Sequence, residues 1–328
     1  MQEQVNQRIT YLSRLFLIIL LILSFRFWYL SILQGDWYKQ KSEQNRVRVF
    51  SLSPIRGSIY DRNSQVLAED IPRFRLIYEK GGMEVEEIEK RVERILGREL
   101  SPPFPERGAG EIILIDPLSL EEAIKIEEAQ NDLPGVMVET YPVRHYPRGE
   151  PFAHVVGYVG KINAEELESL YSEGYEMEDR IGKVGVEREY ESLLRGEKGY
   201  RRIEVDALGR VIRVLDYRSP YFINSVTLTL DGELQEYSYE LLGNRNGVII
   251  VGDPYTGELL ALVSKPGFDP QLLSWGMTAE EWNTLSQNQD KPLTNRALQA
   301  LYPPGSLFKL VIATGALEEG LTDGNRKI

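Results

Sequence analysis

The main hydrophobic run of the chain covers residues 15 to 33 and contains a single charged residue, Arg26. About 20 apolar residues are needed to cross the hydrocarbon core of a membrane. A cleaved signal peptide would end in small residues, whereas bulky aromatic residues follow the most apolar part of this run. The pattern therefore predicts an uncleaved transmembrane anchor over 15–33 and a cytoplasmic tail over 1–14, rather than a signal peptide or a buried core helix. Basic residues flank both ends, so the positive-inside rule says little about orientation.

Residues 46 to about 220 combine short helices with short strands. Four apolar residues at helical spacing predict an amphipathic helix: Val85, Ile88, Val92 and Ile95. A capping-box pattern at Ser119 and Glu122 predicts a second helix, and the same pattern at Asn163 and Glu166 predicts a third. Since helices and strands do not alternate strictly, we expect an α+β domain over residues 34–220.

The pattern of apolar residues changes near residue 221, where we place the start of a second domain, 221–328. Residues 248–251 are apolar at every position, which is typical of a strand covered on both faces. A turn and a second apolar run at 259–263 follow. The two runs predict a hairpin in the middle of a sheet, with helices on both sides.

Composition narrows the classes of function. Hydrophobic residues make up 42% of the chain and charged residues 27%, as in a globular protein. The formal net charge of −12 argues against a nucleic-acid partner, because that affinity comes from many Lys and Arg contacts to phosphate. The absence of cysteine excludes disulfides, thiolate metal sites and a cysteine nucleophile. The presence of only two histidines, His145 and His154, argues against a His-based triad or metal cluster, and we expect structural roles for both.

The candidate chemistry lies in the only Ser-x-x-Lys sequence of the chain, at Ser306 and Lys309. A Pro-Pro-Gly sequence prevents helix just before it, and apolar residues after it predict a buried helix with Ser306 in its first turn. Among apolar side chains the ammonium form of a lysine is disfavoured, so Lys309 could accept the serine proton. The helix N-terminus would favour negative charge on the serine oxygen. The spacing alone leaves open an ordinary N-cap serine beside a surface lysine.

The sequence from 293 to 309 resembles the active-serine region of the class B penicillin-binding proteins. Its Tyr-Pro-Pro-Gly form is more similar to the elongation-type branch of that family than to the division-type branch. Further blocks resemble the juxtamembrane stretch, the non-catalytic pedestal and the first transpeptidase hairpin of the family: 33–38, 54–63, 144–147, 153–158, 182–187 and 253–258. Several ordered blocks at family-like spacing are much more specific than one tetrad.

The resemblance implies a single N-terminal transmembrane helix, an α+β pedestal over 34–220, and the start of an α/β serine transpeptidase domain of the penicillin-binding and β-lactamase type. It implies a D,D-transpeptidase that cross-links the peptide stems of peptidoglycan during cell elongation. Ser306 would be the nucleophile and Lys309 the general base, and the Ser306 backbone N–H would be one oxyanion-hole donor. β-Lactams would acylate the same serine. No metal and no organic cofactor are implied.

The family needs two further elements after the Ser-x-x-Lys sequence: a Ser-x-Asn and a Lys-Thr-Gly or Lys-Ser-Gly. Neither follows Lys309 here, and we interpret the Ser-x-Asn pattern at 286–288, which precedes Ser306, as a chance match. The loss of one oxyanion donor typically lowers the rate by about 10²–10³. We therefore expect a truncated catalytic domain, and we expect this chain by itself not to cross-link stems or hold penicillin stably.

A non-catalytic scaffold is the alternative function. By resemblance, the anchor and pedestal would bind a membrane-embedded SEDS glycan polymerase and scaffold proteins of the rod-shape machinery, in the bacterial inner (cytoplasmic) membrane with the main domains on the periplasmic side. A β-lactam sensor or β-lactamase shares the Ser-x-x-Lys sequence but does not explain the long anchored pedestal.

The charges of Arg56, Asp61 and Arg62 lie in a Gly-containing loop, where we expect a salt-bridged structural turn rather than a catalytic group.

Overall fold

The computed structural model describes residues 2–34, 46–79, 83–107, 111–205, 211–222 and 224–323. Its helices are α1 Gln2–Trp28, α2 Val85–Leu96, α3 Leu120–Glu128, α4 Ala153–Val156, α5 Ala164–Leu170, α6 Gly185–Glu189, α7 Glu191–Leu194, α8 Gly232–Leu241, α9 Pro270–Trp275, α10 Ala279–Ser286, α11 Arg296–Gln299 and α12 Phe308–Glu318. Its strands are β1 Val47–Leu52, β2 Ile59–Tyr60, β3 Val66–Glu79, β4 Glu106–Arg107, β5 Glu111–Leu118, β6 Val136–His145, β7 Val159–Lys161, β8 Arg180–Gly182, β9 Gly199–Val205, β10 Val211–Arg218, β11 Val226–Thr227, β12 Gly247–Gly252 and β13 Leu259–Lys265.

The chain divides into two compact units. The first unit consists of the segments Met1–Arg56, Asp70–Val143 and Arg195–Ile223. The second unit consists of the segments Gly57–Glu69, Arg144–Leu194 and Asn224–Ile328. Each unit is therefore built from segments that are far apart in sequence. The family-like block at 33–38 lies mostly outside the described residues.

The first unit contains two groups of strands. Strand β9 lies between β1 and β10 and pairs antiparallel with both. Strand β3 pairs with β5 and β6, and β4 extends the sheet from β5. Helices α2 and α3 cover this second sheet with a core of aliphatic side chains and one tyrosine, which includes Leu76, Tyr78, Ile88, Val92, Ile112, Ile126 and Leu133.

The local signals in the sequence predict the helices of this region well. Ile88 and Val92 are fully buried on α2, which confirms the amphipathic helix. Both capping boxes are present: the Ser119 side chain accepts from the Glu122 N–H at the start of α3, and Asn163 does the same for α5. In each box the glutamate also accepts from the N-cap backbone, so two free donors of the helix end are satisfied.

The N-terminal helix α1 extends over 27 residues and continues into a π-helical turn, Tyr29–Leu33. The Arg26 guanidinium lies 5.5 Å from the centre of the Tyr29 ring. Across the part of the chain that the structure describes, no helix combines the length and the apolar character needed to cross a membrane. The anchor over 15–33 stays a prediction.

The second unit has its main core around two short strands and the segment 144–156. Strand β11 pairs parallel with β2, and β2 pairs antiparallel with the first residues of β3. The buried side chains of this core are Ile59, Leu67, Ala68, Tyr146, Phe152, Val156, Leu194, Val226 and Leu230. Strands β7 and β8 form a separate two-stranded antiparallel sheet, next to a small core with α5.

The predicted hairpin of the second domain is present as β12 and β13, and the described residues do not cover both of its faces. Ala261 and Val263 of β13 are fully buried, and α8 packs against this strand. By contrast, Ile250 of β12 is 52% exposed. Within the described ranges the hairpin is a two-stranded sheet without a third strand, and the short helix α11 also packs against both of its strands. A run of apolar residues indicates burial on two sides but does not identify the covering segments.

A buried glutamine joins α8 to β13. Gln235 has no exposed surface, and its Nε2 donates to the carbonyl oxygens of Pro151 at 2.8 Å and Leu262 at 2.9 Å. Its Oε1 accepts from the Leu262 N–H at 2.7 Å. The side chain therefore pairs with the backbone of β13 as a neighbouring strand would.

Replacing Gln235 by leucine is expected to lower the free energy of unfolding by about 2–4 kcal/mol, because it leaves the Leu262 N–H and two carbonyls without their partner. Urea unfolding followed by tryptophan fluorescence measures the change. Tyr237→Leu on the same helix is the control: this tyrosine is 59% exposed, so we expect a change within about 0.5 kcal/mol. Equal stability of Gln235→Leu and the wild type would contradict the role of this side chain.

Candidate active site

Ser306 lies in a one-turn 3₁₀ helix, Gly305–Leu307, that leads directly into α12. Gly305 has a φ of +53°, a conformation that favours glycine because it has no Cβ. The Leu307 N–H donates to the Pro304 carbonyl at 3.1 Å and closes the turn. Lys309 is the second residue of α12. The predicted helix is therefore present, but Ser306 precedes its first α-helical turn.

The prediction that this helix is buried is wrong for the described chain. Ser306 and Lys309 are both exposed. The apolar residues that flank them are each more than half exposed: Leu307, Phe308, Leu310, Val311 and Ile312. The described elements leave α12 uncovered on all sides, so they do not supply the apolar surroundings that the sequence predicts for Lys309.

The structure does not bring the serine and the lysine into a hydrogen bond. Within the described ranges neither the Ser306 hydroxyl nor the Lys309 amine has a hydrogen-bond or ion-pair partner. Residues at i and i+3 of a helical segment lie on one side of it, so the two groups share a face. The two side chains are exposed on this face and are not hydrogen-bonded to each other.

The chain that leads to Ser306 is held by a polar network that the sequence analysis missed. The Arg296 side chain donates to the carbonyl oxygens of Lys291, at 3.1 Å, and of Asp290. The Arg296 N–H donates to Ser264 Oγ of β13 at 2.9 Å. Asn295 caps α11, since its Oδ1 accepts from the Ala297 N–H. An asparagine before a short helix is a recognisable N-cap signal, whereas the contact with Ser264 depends on the tertiary fold.

The loop that contains Asp61 is a structural turn, as predicted. Asp61 is almost fully buried; its Oδ1 accepts from the N–H groups of Asn63 and Gln65, and its Oδ2 accepts from the Gly232 N–H at 3.0 Å. A Cβ on Gly232 would lie 2.8 Å from that carboxylate oxygen, so the close approach requires glycine. The neighbouring Arg62 pairs with Glu258 at 3.7 Å. This loop therefore fixes the start of α8.

A buried ion pair joins the family-like segment 144–147 to α6. Arg144 Nε is 2.7 Å from Glu187 Oε1, and the two side chains are 2% and 0% exposed. The Tyr146 hydroxyl donates to the same carboxylate and accepts from the Val159 N–H. Burial raises the pKa of Tyr146, and the Glu187 charge raises it further. The tyrosine therefore stays protonated and can donate.

Side chains of α9 are hydrogen-bonded to the backbone of the same segment. Gln271 Nε2 and Trp275 Nε1 both donate to the Arg144 carbonyl, at 2.7 Å and 3.0 Å. Gln271 Oε1 accepts from the Tyr146 N–H and lies 3.0 Å from His145 Nδ1. The His154 ring contacts the carbonyl of Pro266. Both histidines thus have partners inside the second unit, in agreement with the structural roles expected of them.

The described residues offer no group of three or more Asp, Glu and His side chains that could hold a metal ion. Two cavities of about 490 and 460 Å³ lie in the first unit. Both use Val138 and Thr140 of β6 as part of their lining, and neither includes Ser306 or Lys309. The candidate site is therefore an exposed turn rather than a formed cavity in the part of the chain described here.

Comparison with known proteins gives the family. Residues 51–228 match the penicillin-binding protein dimerisation domain, and residues 247–328 match the penicillin-binding protein transpeptidase domain. The chain is 39% identical over 328 residues to the peptidoglycan D,D-transpeptidase MrdA of Acinetobacter baumannii, covering 96% of this chain and 48% of that protein. It is 35% identical to MrdA of Escherichia coli, covering 90% of this chain and 49% of the relative.

Solved structures agree with the sequence comparison. A complex between penicillin-binding protein PBP2 and MreC from Helicobacter pylori matches with a TM-score of 0.70 at 27% identity, over 86% of this chain and 54% of that one. A structure described as a peptidoglycan synthase complex that coordinates polymerization and crosslinking matches with a TM-score of 0.62 at 32% identity, over 98% of this chain and 57% of that one. The chain spans about half the length of the curated relatives it matches. Together these matches show that the chain belongs to the penicillin-binding protein family, with sequence of both the dimerisation and the transpeptidase domain.

Proposed function

We propose that the protein is a D,D-transpeptidase of the cell-elongation machinery, most like penicillin-binding protein 2, and that Ser306 carries the acyl group. The observation that supports this most strongly is the Ser306 turn at the start of α12, inside the segment that matches the transpeptidase domain. The similarity to two MrdA proteins over nine-tenths or more of this chain supports the elongation type.

In the proposed reaction Ser306 Oγ attacks the carbonyl carbon of the penultimate D-Ala in a donor stem. The Lys309 amine takes the hydroxyl proton, and the terminal D-Ala leaves with a proton on its amine. An amine of a neighbouring stem then attacks the acyl-enzyme, which forms the cross-link and returns the proton to Ser306. The positive end of the eleven-residue α12 favours the negative charge that develops at the serine. The Ser306 N–H is the first oxyanion donor in this scheme.

The proposed domain organisation keeps the sequence boundaries, with a pedestal over 34–220 and transpeptidase sequence over 221–328. We propose a single-pass anchor over 15–33 in the bacterial inner membrane, a cytoplasmic tail over 1–14, and the main domains on the periplasmic side. Support for the anchor comes from its single charge and from the exposed apolar side chains of α1 between Phe16 and Phe27.

The proposed partners are peptidoglycan stem peptides, β-lactams, scaffold proteins of the rod-shape machinery and a SEDS glycan polymerase. Two similar structures support the protein partners, since one is a complex of PBP2 with MreC and the other is a peptidoglycan synthase complex. The same matches, with the dimerisation-domain match over 51–228, favour a scaffold role as the second candidate function.

Stem peptides that end in D-Ala-D-Ala test the proposed reaction. The native protein, purified from its own cells, is expected to release D-alanine and form peptide dimers, and a Ser306→Ala variant is expected to do neither. In cells depleted of the wild-type protein, Ser306→Ala is expected not to restore growth. Restored growth with this variant would contradict the enzyme and favour the scaffold.

Fluorescent penicillin is expected to leave no stable label on the 328-residue chain produced alone. The described residues leave Ser306 and Lys309 exposed, so they neither exclude water from an acyl-enzyme nor enclose the lysine. Gel fluorescence after denaturation measures the label. A stable band that disappears in Ser306→Ala would contradict this expectation.

A further inference from the structure

His154 lies where three segments of the second unit meet. Its ring Nε2 is 3.2 Å from the carbonyl oxygen of Pro266, directly after β13. Its backbone carbonyl accepts a hydrogen bond of 3.1 Å from Asn295 Nδ2. The ring of Phe268 meets the imidazole edge to face, with ring centroids 5.2 Å apart. One residue therefore contacts both the end of β13 and the start of α11.

The contact with Asn295 reaches the chain that leads to Ser306. Asn295 uses its nitrogen for the His154 carbonyl and its oxygen for the Ala297 N–H at 3.1 Å. The next residue, Arg296, is bound through its N–H to Ser264 of β13. Helix α11 packs on both strands of the hairpin, so the contacts of Asn295 and Arg296 anchor the start of the segment that leads to the Ser306 turn.

The surroundings of the imidazole favour its neutral form. Burial lowers the pKa of His154, and the nearby Arg296 guanidinium also lowers it. The carbonyls of Pro266 and Pro292 and the carboxylate of Glu150 act in the opposite direction but do not reverse the shift. Since a carbonyl only accepts, the neutral ring carries its proton on Nε2 and donates to Pro266.

We propose that His154 is a positioning residue for Ser306: its neutral ring holds the end of β13, and its carbonyl holds Asn295 at the start of α11. A proton added to the ring puts a second positive charge next to Arg296 in a partly buried site and weakens this arrangement. The inference depends on the proposed function only where it names Ser306 as the group that is positioned. The contacts themselves require no catalysis.

Hydrogen–deuterium exchange of the 328-residue chain tests the arrangement. With a lowered pKa in the folded chain, the ring binds its proton more readily when the segment opens. Protection is therefore present above the ordinary histidine pKa of about 6.5 and is lost as the pH falls below it. After correction for intrinsic rates, we expect the amides of 291–300 to exchange about fivefold faster at about pH 5 than at about pH 7.5.

Three variants separate the ring from the backbone contact. His154→Gln keeps a donor for Pro266 but does not titrate, so we expect the protection to remain and its pH dependence to disappear. His154→Phe keeps an aromatic ring beside Phe268 without the donor, and we expect faster exchange at both pH values. Asn295→Asp keeps the acceptor for the Ala297 N–H but does not donate to the His154 carbonyl, so it is also expected to speed exchange. Wild-type exchange rates in His154→Phe, or a pH step that persists in His154→Gln, would overturn the proposal.

Acylation of the native protein tests the link to Ser306. We expect His154→Phe to slow labelling by fluorescent penicillin about tenfold and His154→Gln to restore it, because small displacements of a nucleophile are costly. If His154→Phe alters exchange but not acylation, His154 does not position the serine and the proposal fails. If the wild type is not acylated at all, the proposed function fails, whereas the exchange result stands by itself.

Discussion

Replacing Glu187 by alanine is expected to lower the free energy of unfolding by about 3–5 kcal/mol. The carboxylate is fully buried and lies 2.7 Å from Arg144 Nε, so its removal leaves a buried guanidinium without its counter-charge. It also removes the acceptor of the Tyr146 hydroxyl, whose oxygen accepts from the start of β7. The substitution therefore also weakens the segment around Arg144, whose backbone carbonyl accepts hydrogen bonds from α9. Urea unfolding of the 328-residue chain measures it.

Two control variants identify the cause of this loss. Glu187→Gln keeps an acceptor for Arg144 and Tyr146 without the charge, so we expect a smaller loss and a variant that still folds. Glu121→Ala removes an exposed ion pair with Lys125 on α3, and we expect a change of at most about 0.5 kcal/mol. If Glu187→Ala is as mild as Glu121→Ala, the buried pair does not support the second unit.

Replacing Lys309 by methionine is expected to slow the acylation of Ser306 by about 10²–10⁴. Methionine keeps an unbranched side chain of nearly the same length but has no amine to accept the serine proton. Stopped-flow or time-resolved labelling of the native protein with fluorescent penicillin gives the rate. Because Lys309 is exposed on α12, we expect the substitution to leave the stability of the chain unchanged.

Lys309→Arg separates charge from basicity. Arginine keeps the positive charge but does not lose its proton at any ordinary pH, so we expect acylation as slow as with methionine. Wild-type rates in both variants would exclude Lys309 as the base. A normal rate with arginine alone would assign it an electrostatic role instead.

Local signals explain most of what the sequence predicts correctly about the fold. The helix at α2 follows from four apolar residues at helical spacing, and the starts of α3 and α5 follow from capping boxes. Such signals depend only on residues a few positions apart in the sequence, so they can be recognised without knowledge of the tertiary fold. The β12–β13 hairpin is predicted for the same reason.

Burial and long-range pairing are not predictable from the same signals. The apolar residues of α12 indicate that some segment covers them, but in the described chain they lie exposed. Gln235 and Glu187 look like ordinary polar residues in the sequence, and only the fold shows that they are fully buried and paired. Their partners lie 27 and 43 residues away in the chain, beyond the reach of any local pattern.

Only part of the candidate site could likewise be predicted from the sequence. Its nucleophile and base follow from one short sequence and its resemblance to a family. The network of Arg296, Asn295 and His154 that holds the approach to Ser306 could not be predicted, because it joins three segments through backbone carbonyls. Carbonyl acceptors exist at every residue, so the sequence carries no signal for which ones are used.

Mapping the acylated residue tests the central claim most directly. The native protein is incubated with penicillin, digested, and analysed by tandem mass spectrometry. We predict one penicilloyl adduct, on Ser306, in the peptide that contains the turn before α12. An adduct on any other residue, or an undiminished adduct in Ser306→Ala, would contradict the account.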